Sequence, residues 1–180
     1  MLPRKPDPAL EQKIVDAALG LLDEKGLDAI TMREIARAAR TTTPTIYERF
    51  HDHDAILRAV LERVASDIGT HLESARSIEE VGDRFLNYCC QHPHRMEMFH
   101  RVWPETISSN RPRPTYELVI SKLRKEHGHS PKKADEVANA LMAHLLGTAL
   151  LMLGAGLESE FASNTEKIGR RAFRALCRGI

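Results

Sequence analysis

The stretch TMREIARAARTTTPTIYERF, residues 31–50, decides the fold. Thr31 and Glu34 form a capping box: a hydroxyl placed to accept from the backbone three residues on, directly before the apolar pair Ile35 and Ala36. A short helix over 32–39 follows. After it come three threonines, of which Thr42 or Thr43 must cap the next helix. Pro44 falls in that helix's first turn, where a missing N–H costs nothing. The second helix runs over 43–50, with Ile46 and Phe50 facing inward. Two helices of this length joined by a turn of three or four residues have the dimensions of a helix-turn-helix.

Such a pair cannot bury its own core, so a third face must be supplied from outside it. Upstream, Leu10, Ile14, Ala17, Ala18, Leu21 and Leu22 recur at helical spacing and end at Lys25-Gly26, a basic last turn followed by a glycine stop. Ile14, Ala18 and Leu21 of this helix are expected to meet Ile35, Ala38, Ile46 and Phe50. Downstream, further starts are read at Ser77-Ile-Glu-Glu80, Ser130-Pro131 and Ser163-Asn-Thr-Glu166, and breaks at Pro93 and between Pro104 and Pro114. No segment alternates in the manner of a strand. The expectation is an all-α chain of about nine helices, near 10–25, 32–39, 43–50, 53–74, 78–91, 93–108, 113–127, 131–157 and 164–179.

Composition agrees with a globular chain: 180 residues, 42% hydrophobic and 28% charged. Three cysteines, two of them adjacent, cannot form a disulfide framework, and the first residues hold no apolar signal run. Together they point to a reducing, cytoplasmic setting. Val137–Leu157 contains no Asp, Glu, Lys or Arg and is long enough to span a bilayer. Its Asn139, His144 and three glycines, with acidic flanks, favour a buried or interface helix instead, so no membrane partner is expected. The net charge of +1 is unevenly spread. Residues 1–50 carry eight basic and eight acidic groups, so bulk charge does not argue for a polyanion, and any case for nucleic acid must rest on local geometry.

The runs Ile14-Val-Asp-Ala-Ala, Glu24-Lys-Gly26, Thr31-Met-Arg-Glu-Ile-Ala36 and Thr45-Ile-Tyr-Glu-Arg-Phe50 together resemble the DNA-binding domain of the tetracycline-repressor (TetR) family over about residues 10–60. The resemblance implies a helix-turn-helix DNA-binding domain over 1–52 and a ligand-binding and dimerisation domain over 53–180. It implies a homodimeric transcriptional regulator rather than an enzyme, a repressor that binds a palindromic operator in double-stranded DNA and leaves it when a small, largely apolar molecule binds. No cofactor is implied.

Thr31 and Arg33 would serve the DNA backbone, Thr31 being equally accounted for as a plain cap. Thr42, Thr43 and Thr45 would present hydroxyls and methyls at the start of the recognition helix. Tyr47 resembles the family's phosphate-binding tyrosine, and His51 would add pH-dependent affinity. Three departures stand out. Arg40 occupies a turn position where the family usually has glycine, Pro44 replaces another glycine, and His53, beside Asp52 and Asp54, stands where lysine is frequent.

In the remaining two thirds, Tyr88, Phe99, Trp103, Tyr116 and His144 are the candidates for an effector pocket, each also explicable as ordinary core. Leu141, Leu145, Leu150, Phe173 and Leu176 are candidates for a four-helix dimer bundle, with Gly147, Ala149, Gly154 and Ala155 allowing close approach. The basic stripe Lys167, Arg171, Arg174, Arg178 reads as a solvated face. Cys89, Cys90, His92, His94, Glu97 and His100 invite a metal or thiol reading, but the spacing matches no ligand motif, and no metal site is expected. Two rivals remain: a helical enzyme using the Cys89–His100 region, and a regulator governed by a protein partner or by thiol oxidation.

Overall fold

In a computed structural model of the chain, residues 8–107 and 114–180 are described, the side chains of 102–107 and 114 excepted. Among the described residues every regular element is helical: α1 (Pro8–Lys25), a 3-10 turn (Leu27–Ala29), α2 (Met32–Ala38), α3 (Thr43–Tyr47), α4 (His53–Glu73), α5 (Ile78–Gln91), α6 (Pro93–Ile107), α7 (Pro114–His127), α8 (Pro131–Ala155) and α9 (Glu160–Arg178). The all-α expectation therefore holds, and most boundaries fall within two residues of those read from the caps.

The caps explain why. Thr31, Ser77 and Ser130 each sit in extended backbone and accept from the amide three residues on, as expected. The start of α9 differs. Its cap is Ser159, whose hydroxyl takes the Ala162 amide, and Ser163 lies one turn inside the helix. Gly156, at φ 79, ends α8 in a left-handed turn, so the chain reverses quickly and the first available hydroxyl does the capping.

The chain divides into two compact units, one through Val64 and one from Ala65, with the division inside α4. The core of the first unit is Ile14, Ala18 and Leu22 of α1, Ile35 of α2 with its C-cap Ala39, Ile46 of α3, and Ile56, Val60 and Val64 of α4, all nearly or fully buried. Each large side chain among them contributes about 1.5–3 kcal/mol by leaving water. The α2 face is rotated by one residue from expectation: Ala39 is buried and Ala38 exposed, while Phe50 is only half-buried.

In the second unit α8 packs against α9, α7, α6 and α5. That setting accounts for the absence of charge from Val137 onward. By length and composition α8 is the one helix among the described residues that could cross a membrane, yet Ala134, Val137, Ala138, Leu141, Leu145, Ala149 and Met152 are buried within the protein. Two glycines set the approach of α9. A Cβ on Gly82 of α5 would lie 2.2 Å from the Phe173 ring, and one on Gly169 would lie 2.4 Å from Cγ2 of Thr148. Gly147 and Gly154, expected at close approaches, face open space.

Leu141, Leu145 and Phe173, expected between chains, belong to the core of one chain. What α8 and α9 leave exposed is Leu150, Leu151, Phe161, Ile168 and Leu176. The basic stripe is also partly engaged, since Arg174 pairs with Asp83 of α5 at 2.8 Å. Its neighbour Arg170 reaches Asp83, Asn87 and Glu166, which ties α9 to α5.

Candidate nucleic-acid interface

The turn between α2 and α3 is built by a residue with a side chain where glycine would be easier. Arg40 has φ 51, the one positive φ at a non-glycine among the described residues. The amide of Thr41 reaches back to the Ala36 carbonyl and that of Arg40 to Arg37, a Schellman closure of α2. This conformation costs on the order of 1 kcal/mol at a non-glycine.

From that turn α3 starts with Thr42. Its Oγ1 accepts from the Thr45 amide at 3.3 Å and lies 2.8 Å from Thr45 Oγ1. The ambiguity between Thr42 and Thr43 thus resolves to Thr42 as the cap, its hydroxyl and that of Thr45 being engaged with each other. Thr31 likewise accepts from the Glu34 amide at 3.3 Å. Only half of that capping box forms, because the Glu34 carboxylate turns to Arg37 at 2.8 Å.

Ile46, one residue before Tyr47, is fully buried, and this anchors the short helix. Tyr47 consequently points outward, 53% exposed, the one large apolar side chain left open in the first unit among the described residues. Arg33 and His51 are exposed as well, and Thr43 is half-buried. The helix starts at Thr31 and Thr42 each present free amides and roughly half a positive charge, which suits phosphate even in a domain without net charge.

The start of α4 holds two features that spacing did not reveal. Asp52 is its cap, accepting from the Ala55 amide at 2.6 Å. His53 does not face outward with the helix end: its Nε2 donates to the Ile30 carbonyl, fastening α4 to the segment before α2. His53, where the family has lysine, is therefore engaged in a structural hydrogen bond, and no sequence signal marks it. Arg49 also stands apart, with Nε buried and no partner among the described residues.

In the second unit, the expected effector residues occupy separate places. Tyr88 is buried between His71 and His92, ring centroids 5.5 and 4.6 Å away, and its hydroxyl accepts from Arg95 at 3.1 Å. Arg95 also pairs with Asp67 of α4 at 3.0 Å. Tyr116 donates to Asp135 Oδ1 at 2.7 Å, Phe99 is buried, and His144 Nε2 donates to the Gly169 carbonyl at 2.9 Å. The side chain of Trp103 lies outside the described residues. A cavity of about 580 Å³ opens between the start of α6 and the end of α8. Tyr88, Phe99, Tyr116 and His144 are not among its lining residues.

No group of three or more His, Cys, Asp or Glu among the described residues is arranged to hold a metal ion. Burial raises the Cys89 and Cys90 thiols above the ordinary thiol range and pushes Cys177 up to about 12. All three are therefore thiols, not thiolates, near neutral pH, a poor starting point for nucleophilic or redox chemistry.

The sequence signature described as "Bacterial regulatory proteins, tetR family" matches residues 14–60. An uncharacterised HTH-type transcriptional regulator of Bacillus subtilis is 37% identical over 62 residues, 34% of this chain and 33% of that protein. One of Mycobacterium tuberculosis is 30% identical over 105 residues, 54% and 48% of the two. The class D tetracycline repressor protein of Escherichia coli is 27% identical over 142 residues, 77% of this chain and 64% of that one. The chain thus spans between a third and two thirds of these relatives. In fold, it superposes on a TetR variant from Acinetobacter baumannii in complex with minocycline with a TM-score of 0.71 at 22% identity, covering 97% of this chain and 96% of that one.

Proposed function

We propose that this chain, which belongs to the TetR family of DNA-binding transcriptional regulators, is a cytoplasmic repressor that grips a palindromic operator as a homodimer and releases it when a small, largely apolar molecule binds. The observation that carries the reading is the outward Tyr47 on a helix anchored by the fully buried Ile46, with Thr43 and Thr45 on the same helix and Arg33 exposed on α2. Tyr47, Arg33 and the amides at the starts of α2 and α3 take phosphate. Thr43 and Thr45, with Thr42 shaping the turn, face the major groove, and exposed His51 sits beside the phosphate track. Thr31 serves mainly as a cap, through its bond to Glu34.

Residues 1–52 act as the DNA-binding domain and 53–180 as the effector and pairing domain, with α4 running through the division at Val64. One helix-turn-helix reads too few base pairs for useful discrimination, so two copies are required. The exposed Leu150, Leu151, Phe161, Ile168 and Leu176 supply the apolar face that would join them in a bundle of α8 and α9 from each chain. An effector acts only through its differential affinity for the two states, and tenfold derepression needs about 1.4 kcal/mol of coupling. The Arg95–Asp67 pair gives α6 a direct hold on α4, the helix that would carry the change.

The test is binding to a duplex taken from upstream of the chain's own gene, over a salt series, for the wild type and Tyr47→Phe. Tight binding with a steep salt slope, weakened about tenfold or more by the loss of a hydroxyl bonded to a charged group, supports the reading. Equal affinity of the two proteins for this duplex would remove Tyr47 from the interface.

A further inference from the structure

We propose that the base pairs facing α3 in each half of the operator are A·T pairs, recognised by the 5-methyl group of thymine against Thr43, Pro44 and Thr45; this rests on α3 being the recognition helix. Base identity in the major groove is read most sharply by forked or charged side chains, arginine or lysine on guanine and asparagine or glutamine on adenine. None of these is present in α3, whose five residues are Thr43, Pro44, Thr45, Ile46 and Tyr47.

Ile46 is fully buried, and Tyr47 is committed to phosphate in the proposed interface. That leaves Thr43, Pro44 and Thr45 for the bases, the proline exposed and the two threonines half-buried. Glu48 is the C-cap and Arg49 follows it, at the end remote from the helix start that enters a groove. Arg33 and Arg40 lie on α2 and in the turn, outside α3.

Hydrogen bonding gives these three residues little power to discriminate. The Thr45 hydroxyl lies 2.8 Å from that of Thr42, which also accepts from the Thr45 amide at 3.3 Å. With its hydroxyl tied back in this way, what Thr45 has left to offer a base is its methyl. A threonine hydroxyl such as that of Thr43 both donates and accepts, so it fits any base edge and selects none. Pro44 brings a rigid carbon ring without an N–H. Discrimination therefore falls to apolar contact, and the thymine 5-methyl is the apolar group that a base pair presents in the major groove.

The experiment uses the full chain and the duplex it enriches from a randomised pool. Positions under α3 are those whose base preference changes in Thr43→Ser or Thr45→Ser, each of which removes one methyl and keeps the hydroxyl. Thermal melts show that each variant is folded. Every thymine at those positions is replaced by deoxyuridine, which removes only the 5-methyl. In parallel the T·A pair is replaced by 5-methylcytosine with guanine, which keeps the methyl and changes the hydrogen-bonding groups. We expect A·T pairs there, affinity about three- to fivefold lower for each deoxyuridine, and most of the affinity kept with 5-methylcytosine. The deoxyuridine penalty should shrink in the serine variant that faces it. Enriched G·C pairs at those positions, serine variants with unchanged preferences, thymines that tolerate deoxyuridine, or 5-methylcytosine bound as weakly as cytosine would each overturn the proposal and leave the regulator reading standing. A pool that enriches nothing overturns both.

Discussion

Arg40 shows how much one backbone angle constrains. At φ 51 it tolerates glycine or asparagine and resists any β-branched side chain. Arg40→Val is expected to destabilise the chain by about 1–2 kcal/mol, whereas Arg40→Gly should leave stability within about 0.5 kcal/mol, the relief of strain offsetting the entropy of glycine. Urea denaturation followed by circular dichroism separates the two. The position was legible through the family resemblance, which implies a glycine where this chain has Arg40. The His53 bond to Ile30 was not legible, since a histidine between two aspartates carries no sign of a carbonyl 23 residues earlier.

A second prediction at this scale concerns pH. Burial lowers the His100 pKa below its unfolded value, so the neutral ring contributes stability that is present above about pH 6.5 and lost as pH falls through the folded value. The melting temperature should drop from pH 7 to pH 5, and His100→Phe should flatten that limb. An identical slope in the variant would show that His100 does not titrate in the way its burial implies.

Among the elements, the α5–α9 crossing is the most sharply determined. Gly82→Ala places a methyl 2.2 Å from the Phe173 ring, and overpacking of this kind costs about 1–3 kcal/mol. Phe173→Leu in the same chain should recover part of the loss, which a double-mutant cycle on unfolding free energies would read as coupling. Gly147→Ala, with nothing near its added methyl, should by contrast be neutral or stabilising within one chain.

The contrast between Ser159 and Ser163 shows where reading by element stops. Both are serines, Ser159 ahead of Glu160-Phe161-Ala162 and Ser163 ahead of Asn164-Thr165-Glu166, and both fit a cap. The choice was made by Gly156, whose left-handed turn brings the chain round early, a consequence of packing that local propensity does not contain. The α8 and α9 faces failed for a related reason. Leu141 and Leu145 looked suited to a partner because apolar positions on the uncharged part of α8 look alike, while Phe173 sits on the apolar face of the amphipathic α9. Burial separates them from Leu150, Leu151 and Ile168.

For the whole molecule, the exposed apolar face of α8 and α9 predicts the assembly. Leu151→Glu together with Ile168→Glu should shift the chain from twice its mass to a monomer in sedimentation, and reduce operator affinity by about a hundredfold or more while the fold persists. A dimer that survives both charges would place the pairing surface elsewhere. The helix-turn-helix was visible from sequence because its caps, turn and apolar spacing are local. The fit of Phe173 over Gly82 was not, because such a contact is a property of helices that meet across the unit.

The central claim is that the first unit reads DNA sequence through α3. The most direct measurement is selection by the full chain from a randomised duplex pool, followed by affinities for the enriched sequence, a scrambled duplex and the Tyr47→Phe variant. An enriched inverted repeat, bound about a thousandfold more tightly than the scrambled duplex and weakened about tenfold or more by the variant, is the predicted result. A pool that stays random after selection, with equal affinity for every duplex and no effect of the variant, would contradict it.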